Sequence, residues 1–333
     1  LSNQVLNPQA KLIGDLFGSE IKLVATRDGY GEGLILAGDE NPNVVVLCAD
    51  LTESTRSLAF AKKYPERFIE VGVAEQNMAA IAAGLGVSGK VAFISSYACF
   101  SPGRNWEQIR TTIAYNDSNV KIAGAHTGLM TGPDGATHQM LEDIAIMRAM
   151  PNMKIFAPSD TIETKKITLA ISRIYGPCYI RFGREKSPLF TTEETPFEIG
   201  KAVYFWQTEK PQATIVACGT FVYNALIAVK ELTDEGIEVD MINSPSIKPL
   251  DEKLILEAAK RSGAVVVVEE HQITGGLGGA VAEATARNYP VPMEFVGVQD
   301  KFGESGGPWE LVEKYGMGVN HIKEAAKRVI ARK

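Results

Sequence analysis

The sequence predicts an α/β protein made of two doubly wound domains with mainly parallel sheets. Three observations carry that expectation. Short β-branched runs alternate with longer helical patterns along most of the chain, a Pro- and Thr-rich break falls near residues 187–200, and 333 residues supply about two ordinary cores.

Residues 1–20 read as an N-terminal extension and 21–187 as the first domain. Its strands are expected at 44–49, 68–71, 91–95, 120–125, 153–156 and 178–182, each a short apolar run of strand length. Helical patterns fill the intervals at 75–87, 104–115, 142–150 and 161–174, giving a six-stranded doubly wound sheet. The stretch SPLFTTEETPFEIG then breaks the pattern with two prolines, hydroxyl residues and acids, so 188–200 reads as a linker. A second α/β unit follows over 201–333, with strands at 214–218, 237–242, 264–269 and 293–298. Its helices are expected at 222–235, 250–261, 278–288, 308–315 and 320–331.

Composition excludes several classes. A net charge of -6 with no Lys/Arg-rich run leaves no footprint for nucleic acid. No apolar run is long enough to span a bilayer, and the first residues lack the basic-then-apolar layout of a signal peptide, so a cytoplasmic location is the expectation. Cys48, Cys99, Cys178 and Cys218 form no CxxC pair and read as reduced thiols with packing roles.

The segment FIEVGVAEQNM sets a lone carboxylate, Glu75, between an apolar strand and an alanine-rich helix. An acid in a first helical turn is often only a complement to the helix dipole, and that reading stands beside the functional one. A buried carboxylate, however, needs a partner or a proton. Farther on, GAHTGLMTGPDGATHQ gathers two of the four histidines, an aspartate and four glycines into one loop. In open parallel sheets the loops at the carboxyl ends of the strands form the ligand crevice. There the polar residues collect: Asp50 and Ser54, Glu75, Tyr97 and Phe100, the segment from His126 to His138, and Arg184.

These stretches resemble the C-terminal half of a transketolase, from its pyrimidine-binding domain through its small C-terminal domain. The resemblance rests on VGVAEQNMAAIAAGL, SYACFSPGRNWEQIR, GLMTGPDGATHQMLEDIAIMRAMPNM, TRDGYGE and CADLTES, and it runs from Ala25 nearly to the end. It implies thiamine diphosphate as cofactor, with Glu75 hydrogen-bonded to the aminopyrimidine as a neutral carboxyl, Phe100 stacked on that ring, and Tyr97, Asp50 and Leu51 nearby. For Tyr97, simple core filling is an equal alternative. The resemblance also implies a phosphate site of Arg27, Ser54, His126 and Arg184, where arginine forks suit a dianion. Asp134 and His138 would meet the sugar hydroxyls, with His138 and His126 managing charge at the reacting oxygens. His271 and His321 fall outside this rim, where structural or interface roles are expected.

Families that use this cofactor anchor its diphosphate through Mg²⁺ or Ca²⁺ on a Gly-Asp-Gly segment followed by Asn. The chain has no Gly-Asp-Gly; its nearest strings are GDL, GDE and PDG. The expectation is therefore a split enzyme, an α2β2 assembly in which a separate N-terminal subunit carries the metal and diphosphate motif. Rival readings are the β subunit of a 2-oxoacid dehydrogenase, an enzyme for modified sugars, and a noncatalytic module of the same fold. The THQ loop and the phosphate donors argue against a small 2-oxoacid substrate.

Overall fold

The computed structural model describes residues 6–333, so the first five positions of the expected N-terminal extension lie outside the described residues. The first sheet has seven strands in the order Ser246–Lys248, Lys154–Phe156, Cys178–Phe182, Val120–Ala125, Val91–Tyr97, Val44–Cys48 and Phe68–Glu70. All neighbours run parallel except Ser246–Lys248, which pairs antiparallel with Lys154–Phe156. Helices cover both faces, so the central strands are buried at every position and read in sequence as continuous apolar runs. Leu47, Ile94 and Ile122 pack with Met78, Ala79 and Ala82 of the helix Glu75–Val87 on one face. Val46, Phe93 and Ile180 pack with Leu34 and Ile167 on the other.

The second sheet has five strands in the order Met293–Val298, Val265–Gln272, Ala213–Ala217, Val239–Asn243 and Val203–Trp206, the last antiparallel to its neighbour. The molecule is thus α/β with mainly parallel sheets.

Three elements correct the sequence expectation. The first sheet has seven strands instead of six because Ser246–Lys248 crosses from the second half of the chain. Bracketed by Pro245 and Pro249, that tripeptide shows no strand pattern in the sequence; its Lys248 Nζ bonds the carbonyls of Arg148 (3.0 Å) and Met150 (2.5 Å). The expected helix over 104–115 is a single α turn, Trp106–Gln108, running into the π-helical Ile109–Ala114. A fifteen-residue helix, Thr26–Glu40, occupies a stretch for which the sequence indicated no element. Its glycines hide it, since glycine weakens helices. They are needed for close packing: a Cβ on Gly29 would overlap the Thr161 carbonyl oxygen, and one on Gly33 would meet Thr168 Cβ at 2.5 Å.

The two halves interlock through buried polar groups. Asn243 Nδ2 donates to Glu163 Oε1 at 2.8 Å, and Arg181, itself paired with Asp143 at 2.8 Å, donates to the Glu270 carbonyl at 3.0 Å. The segment around 190 is held as firmly: Asp160 accepts from the amides of Phe190 and Thr191. Asn7 and Leu16 dock on the second unit through Phe205 and Tyr223.

Candidate active site

Strand order reverses beside Val44–Cys48, whose chain successor Phe68–Glu70 lies on one side and whose next neighbour, Val91–Tyr97, lies on the other. The loops leaving these strand ends open a crevice. Asp50 and Arg56 sit there at φ 60° and 66°, and His126, directly after Val120–Ala125, at φ 54°. Such left-handed backbone is costly outside glycine and concentrates at functional sites.

Glu75 is the first residue of its helix and only 2% exposed. Its carboxylate is not alone: Arg104 Nη1 donates to Oε2 at 2.8 Å. Of the two ways the sequence left open for a buried carboxylate, a partner or a proton, a partner is present here: Arg104. Asn105, fully buried, fixes this corner by donating to the Glu75 carbonyl at 3.0 Å and to Ser101 Oγ at 3.2 Å. The Arg104 guanidinium lies 4.7 Å from the centroid of Phe100. Phe100 stacks on Tyr97 (6.0 Å, 12°), Tyr97 stacks on His126 (3.8 Å, 24°), and His138 stands edge-on to Phe100 at 5.5 Å. Carboxylate, aromatic pile and both loop histidines form one continuous wall.

Asp50 and Leu51 lie on the opposite loop. The Asp50 amide donates to Glu70 Oε1 at 2.7 Å and Thr52 Oγ1 to Glu70 Oε2 at 2.7 Å, so Glu70 staples this loop next to the Glu75 strand end. Asp50 is solvent-exposed at the rim and Leu51 half-buried.

A cationic cluster adjoins the wall. Thr26 Oγ1 accepts from the Gly183 amide at 2.8 Å, which sets Arg27 in the first helical turn close to Arg184 after the last parallel strand. Arg27 Nη1 donates to the Ser54 carbonyl at 3.1 Å, so Ser54 is present through its backbone. Burial, then the charges of Arg56 and Arg184, pull the Arg27 guanidinium below its ordinary value. Burial, reinforced by Arg27 and Arg184, takes His126 down to about 3, which leaves it a neutral imidazole. Arg184 reaches Asp134 at 3.0 Å. The buried Arg27 Nε and His126 Nδ1 have no hydrogen-bond partner. Unpaired buried groups of this kind cost free energy unless a ligand meets them, and a cluster of arginine forks suits a phosphate.

Every residue expected at the site thus lies along this rim. Sequence reasoning missed Arg104, Asn105, Arg56 and Glu70; only Arg104 carried a signal, as a charge inside SYACFSPGRNWEQIR. His271 is buried behind the rim, its Nε2 accepting the Ala145 amide at 3.3 Å, and His321 lies 3.8 Å from Glu313. Cys99 is half-buried, and burial pushes its thiol up to about 12, away from nucleophilic chemistry.

A buried carboxylate beside a half-buried aromatic face fits the aminopyrimidine end of thiamine diphosphate. For the metal end, no group of three or more His, Cys, Asp or Glu side chains able to hold an ion occurs among the described residues. Among the same residues, no helix is long and apolar enough to cross a membrane.

An open parallel sheet with a polar crevice at its carboxyl edge, backed by a second α/β unit, defines a two-domain α/β protein of the class that binds ligands at strand ends. The chain belongs to the transketolase family: residues 22–188 match the family described as "Transketolase, pyrimidine binding domain" and residues 202–322 "Transketolase, C-terminal domain". A Methanocaldococcus jannaschii protein described as a transketolase C-terminal section is 46% identical over 91% of this chain and 95% of its own length. The 6-deoxy-6-sulfo-D-fructose transketolase subunit SqwH of a Clostridium species is 38% identical over 92% of this chain and 95% of its own. Among solved structures, a split-gene transketolase described as an inactive β4 tetramer superposes with a TM-score of 0.86 at 44% identity, covering 92% of this chain and 99% of that one. Family membership implies dependence on thiamine diphosphate and a transketolase-type enzyme.

Proposed function

We propose that the chain is the pyrimidine-domain and C-terminal-domain subunit, residues 21–187 and 201–333, of a two-chain transketolase. It transfers a two-carbon ketol unit from a ketose phosphate to an aldose phosphate, the reaction of the pentose phosphate pathway. The observation that carries the reading is the meeting of Arg27, Arg184 and His126 beside the Glu75–Phe100 wall, with two buried donor-capable nitrogens left unpaired. A small 2-oxoacid has no phosphate for that cluster.

Bound thiamine diphosphate supplies the nucleophilic carbon and electron sink that C–C cleavage beside a carbonyl requires. Glu75 would hydrogen-bond the aminopyrimidine and Phe100 would stack on it, with Tyr97 beside them and Asp50 and Leu51 facing from the opposite loop. Arg27, Arg184 and His126 line the sugar-phosphate site, with Ser54 at its edge holding Arg27 through its carbonyl. His126, neutral at working pH, offers one N–H and one lone pair, so it orients a sugar oxygen without adding charge. His138 stabilises oxygen charge from the wall's edge, and Asp134, fixed by Arg184, selects among hydroxyls. A partner subunit carrying Gly-Asp-Gly and Asn supplies the Mg²⁺ or Ca²⁺ and diphosphate site, in an α2β2 assembly in the cytoplasm.

The test is reconstitution with a Gly-Asp-Gly subunit, thiamine diphosphate and Mg²⁺, following ketol transfer from xylulose 5-phosphate to ribose 5-phosphate. Activity should require both chains and vanish with Glu75→Gln. Enzyme-like rates from this chain alone would overturn the split assignment, and acyl transfer from pyruvate would point to a 2-oxoacid dehydrogenase. A second donor class has its own support: the relative named for 6-deoxy-6-sulfofructose is 38% identical. A sulfonate also suits arginine forks, so that sugar belongs in the same assay.

A further inference from the structure

The loop 128–140 carries Asp134 and His138, yet the first sheet alone does not hold it. A buried anchor comes from the second unit. Glu270, on the strand Val265–Gln272 and 4% exposed, accepts the Met130 amide on Oε1 at 2.7 Å. The chain lies flat on this carboxylate at Gly128, where φ is 77° and a Cβ would overlap the Glu270 carboxyl. The Glu270 backbone is fixed in turn by Arg181 Nη2, which donates to its carbonyl at 3.0 Å.

A second anchor faces the first. Gln139 Nε2 donates to the Glu304 carbonyl at 2.9 Å and to the Gly132 carbonyl at 3.1 Å, tying the loop's end and its interior to the segment before the helix Pro308–Lys314. At Gly132 a Cβ would meet Pro308 Cγ at 2.9 Å, and at Gly135 Ser305 Oγ at 2.5 Å. The loop is clamped between the crevice and the C-terminal unit.

Resting on the transketolase reading, we propose that Glu270 is a positioning residue: by holding the Met130 amide it sets the loop that presents Asp134 and His138 to the sugar. The C-terminal unit thereby takes part in sugar recognition without touching the sugar. Loss of a buried acceptor leaves an unpaired N–H at the loop's start. A shifted loop weakens the contacts of Asp134 and His138 with the bound sugar without touching remote cofactor contacts.

The experiment has two arms. In the full chain, hydrogen exchange is followed by mass spectrometry for Glu270→Ala, Glu270→Gln and Glu270→Asp. Glu270→Asp keeps the carboxyl group and withdraws it by one methylene, so it serves where the alanine variant fails to fold. Exchange over 128–140 should speed up in Glu270→Ala and Glu270→Asp, stay near the parent in Glu270→Gln, and be unchanged over Val120–Ala125 and Ala213–Ala217. In the assembled enzyme, KM for xylulose 5-phosphate should rise about tenfold in the same two variants and recover in Glu270→Gln. The thiamine diphosphate Kd should not move. Unchanged loop exchange, or a loosened loop with unchanged KM, would overturn the proposal. If even the parent assembly transfers no ketol unit, the transketolase reading fails by itself, and the exchange arm still decides whether Glu270 holds the loop.

Discussion

Arg104 places its guanidinium against the buried Glu75 carboxylate, Nη1 to Oε2 at 2.8 Å, while lying 4.7 Å from the Phe100 ring centroid. A planar cation that stacks on an aromatic ring and donates to a carboxylate uses the two recognition elements an aminopyrimidine would use. In this state the protein's own side chain satisfies both. The Arg104 side chain is 48% exposed, whereas Glu75 is buried and its backbone is fixed by its helix and by Asn105.

Arg104→Ala should therefore tighten thiamine diphosphate binding in the assembled enzyme. With one partner half exposed, the pair is worth about 1 kcal/mol, so the expected gain is roughly fivefold. Calorimetric titration of cofactor into parent and variant measures it. Weaker binding in the variant would mean that Arg104 helps hold the cofactor and does not compete with it.

Gly29 and Gly33 position Arg27 from a distance. They let the helix Thr26–Glu40 seat on the helix Thr161–Ser172, where a Cβ at either place meets Thr161 or Thr168. Gly33→Ala should cost about 1–3 kcal/mol through overpacking, with a lower Tm. Gly29→Ala, which meets backbone and cannot be relieved by a rotamer change, should cost more. Equal or higher Tm values by calorimetry would show that the helices separate freely.

Much of this site was legible because its residues stand on strand ends whose apolar runs mark themselves: Glu75, Tyr97, Phe100, His126 and Arg184 each follow such a run. The parts that escaped depend on relations between distant segments. Arg104 and Asn105 meet Glu75 only because two loops converge, and Glu70 reads as a surface acid until Asp50 turns back onto it. The positive φ of Arg56 and His126 leaves no mark in residue type. The same holds for the fold. Ser246–Lys248 is a strand only because Lys154–Phe156 offers it an edge, and the glycines that seat Thr26–Glu40 are the residues that conceal it as a helix.

His126 should make the chain acid-sensitive. Burial, then Arg27 and Arg184, lower it from 6.5 to about 3 in the folded state. Between those values the unfolded chain binds a proton at this residue and the folded chain does not, so stability rises with pH across the window. The contribution is complete above about pH 6.5 and is lost as pH falls toward 3. His126→Asn, which tolerates the left-handed backbone, removes it. Urea unfolding at pH 5 and pH 7.5 should show a larger loss on acidification for the parent than for the variant. Identical losses would place the proton elsewhere.

Arg184 separates phosphate recognition from the remaining chemistry. It sits after the strand Cys178–Phe182, bonds Asp134 at 3.0 Å, and contributes with Arg27 to the positive field at His126. Removing it takes away a charge-assisted donor to phosphate and also frees Asp134, so two effects must be told apart. Arg184→Ala should raise KM for xylulose 5-phosphate by about tenfold to a hundredfold, the range for a lost hydrogen bond to a charged group. For a ketose lacking the phosphate, such as L-erythrulose, only the Asp134 effect remains, and KM should change far less. Arg184→Lys keeps the charge but loses the planar fork, and should fall between parent and alanine variant for the phosphorylated donor. Steady-state kinetics with both donors read these effects directly. An equal rise for the two ketoses would mean that Arg184 acts by holding Asp134 in place, and the phosphate would then fall to Arg27 and His126.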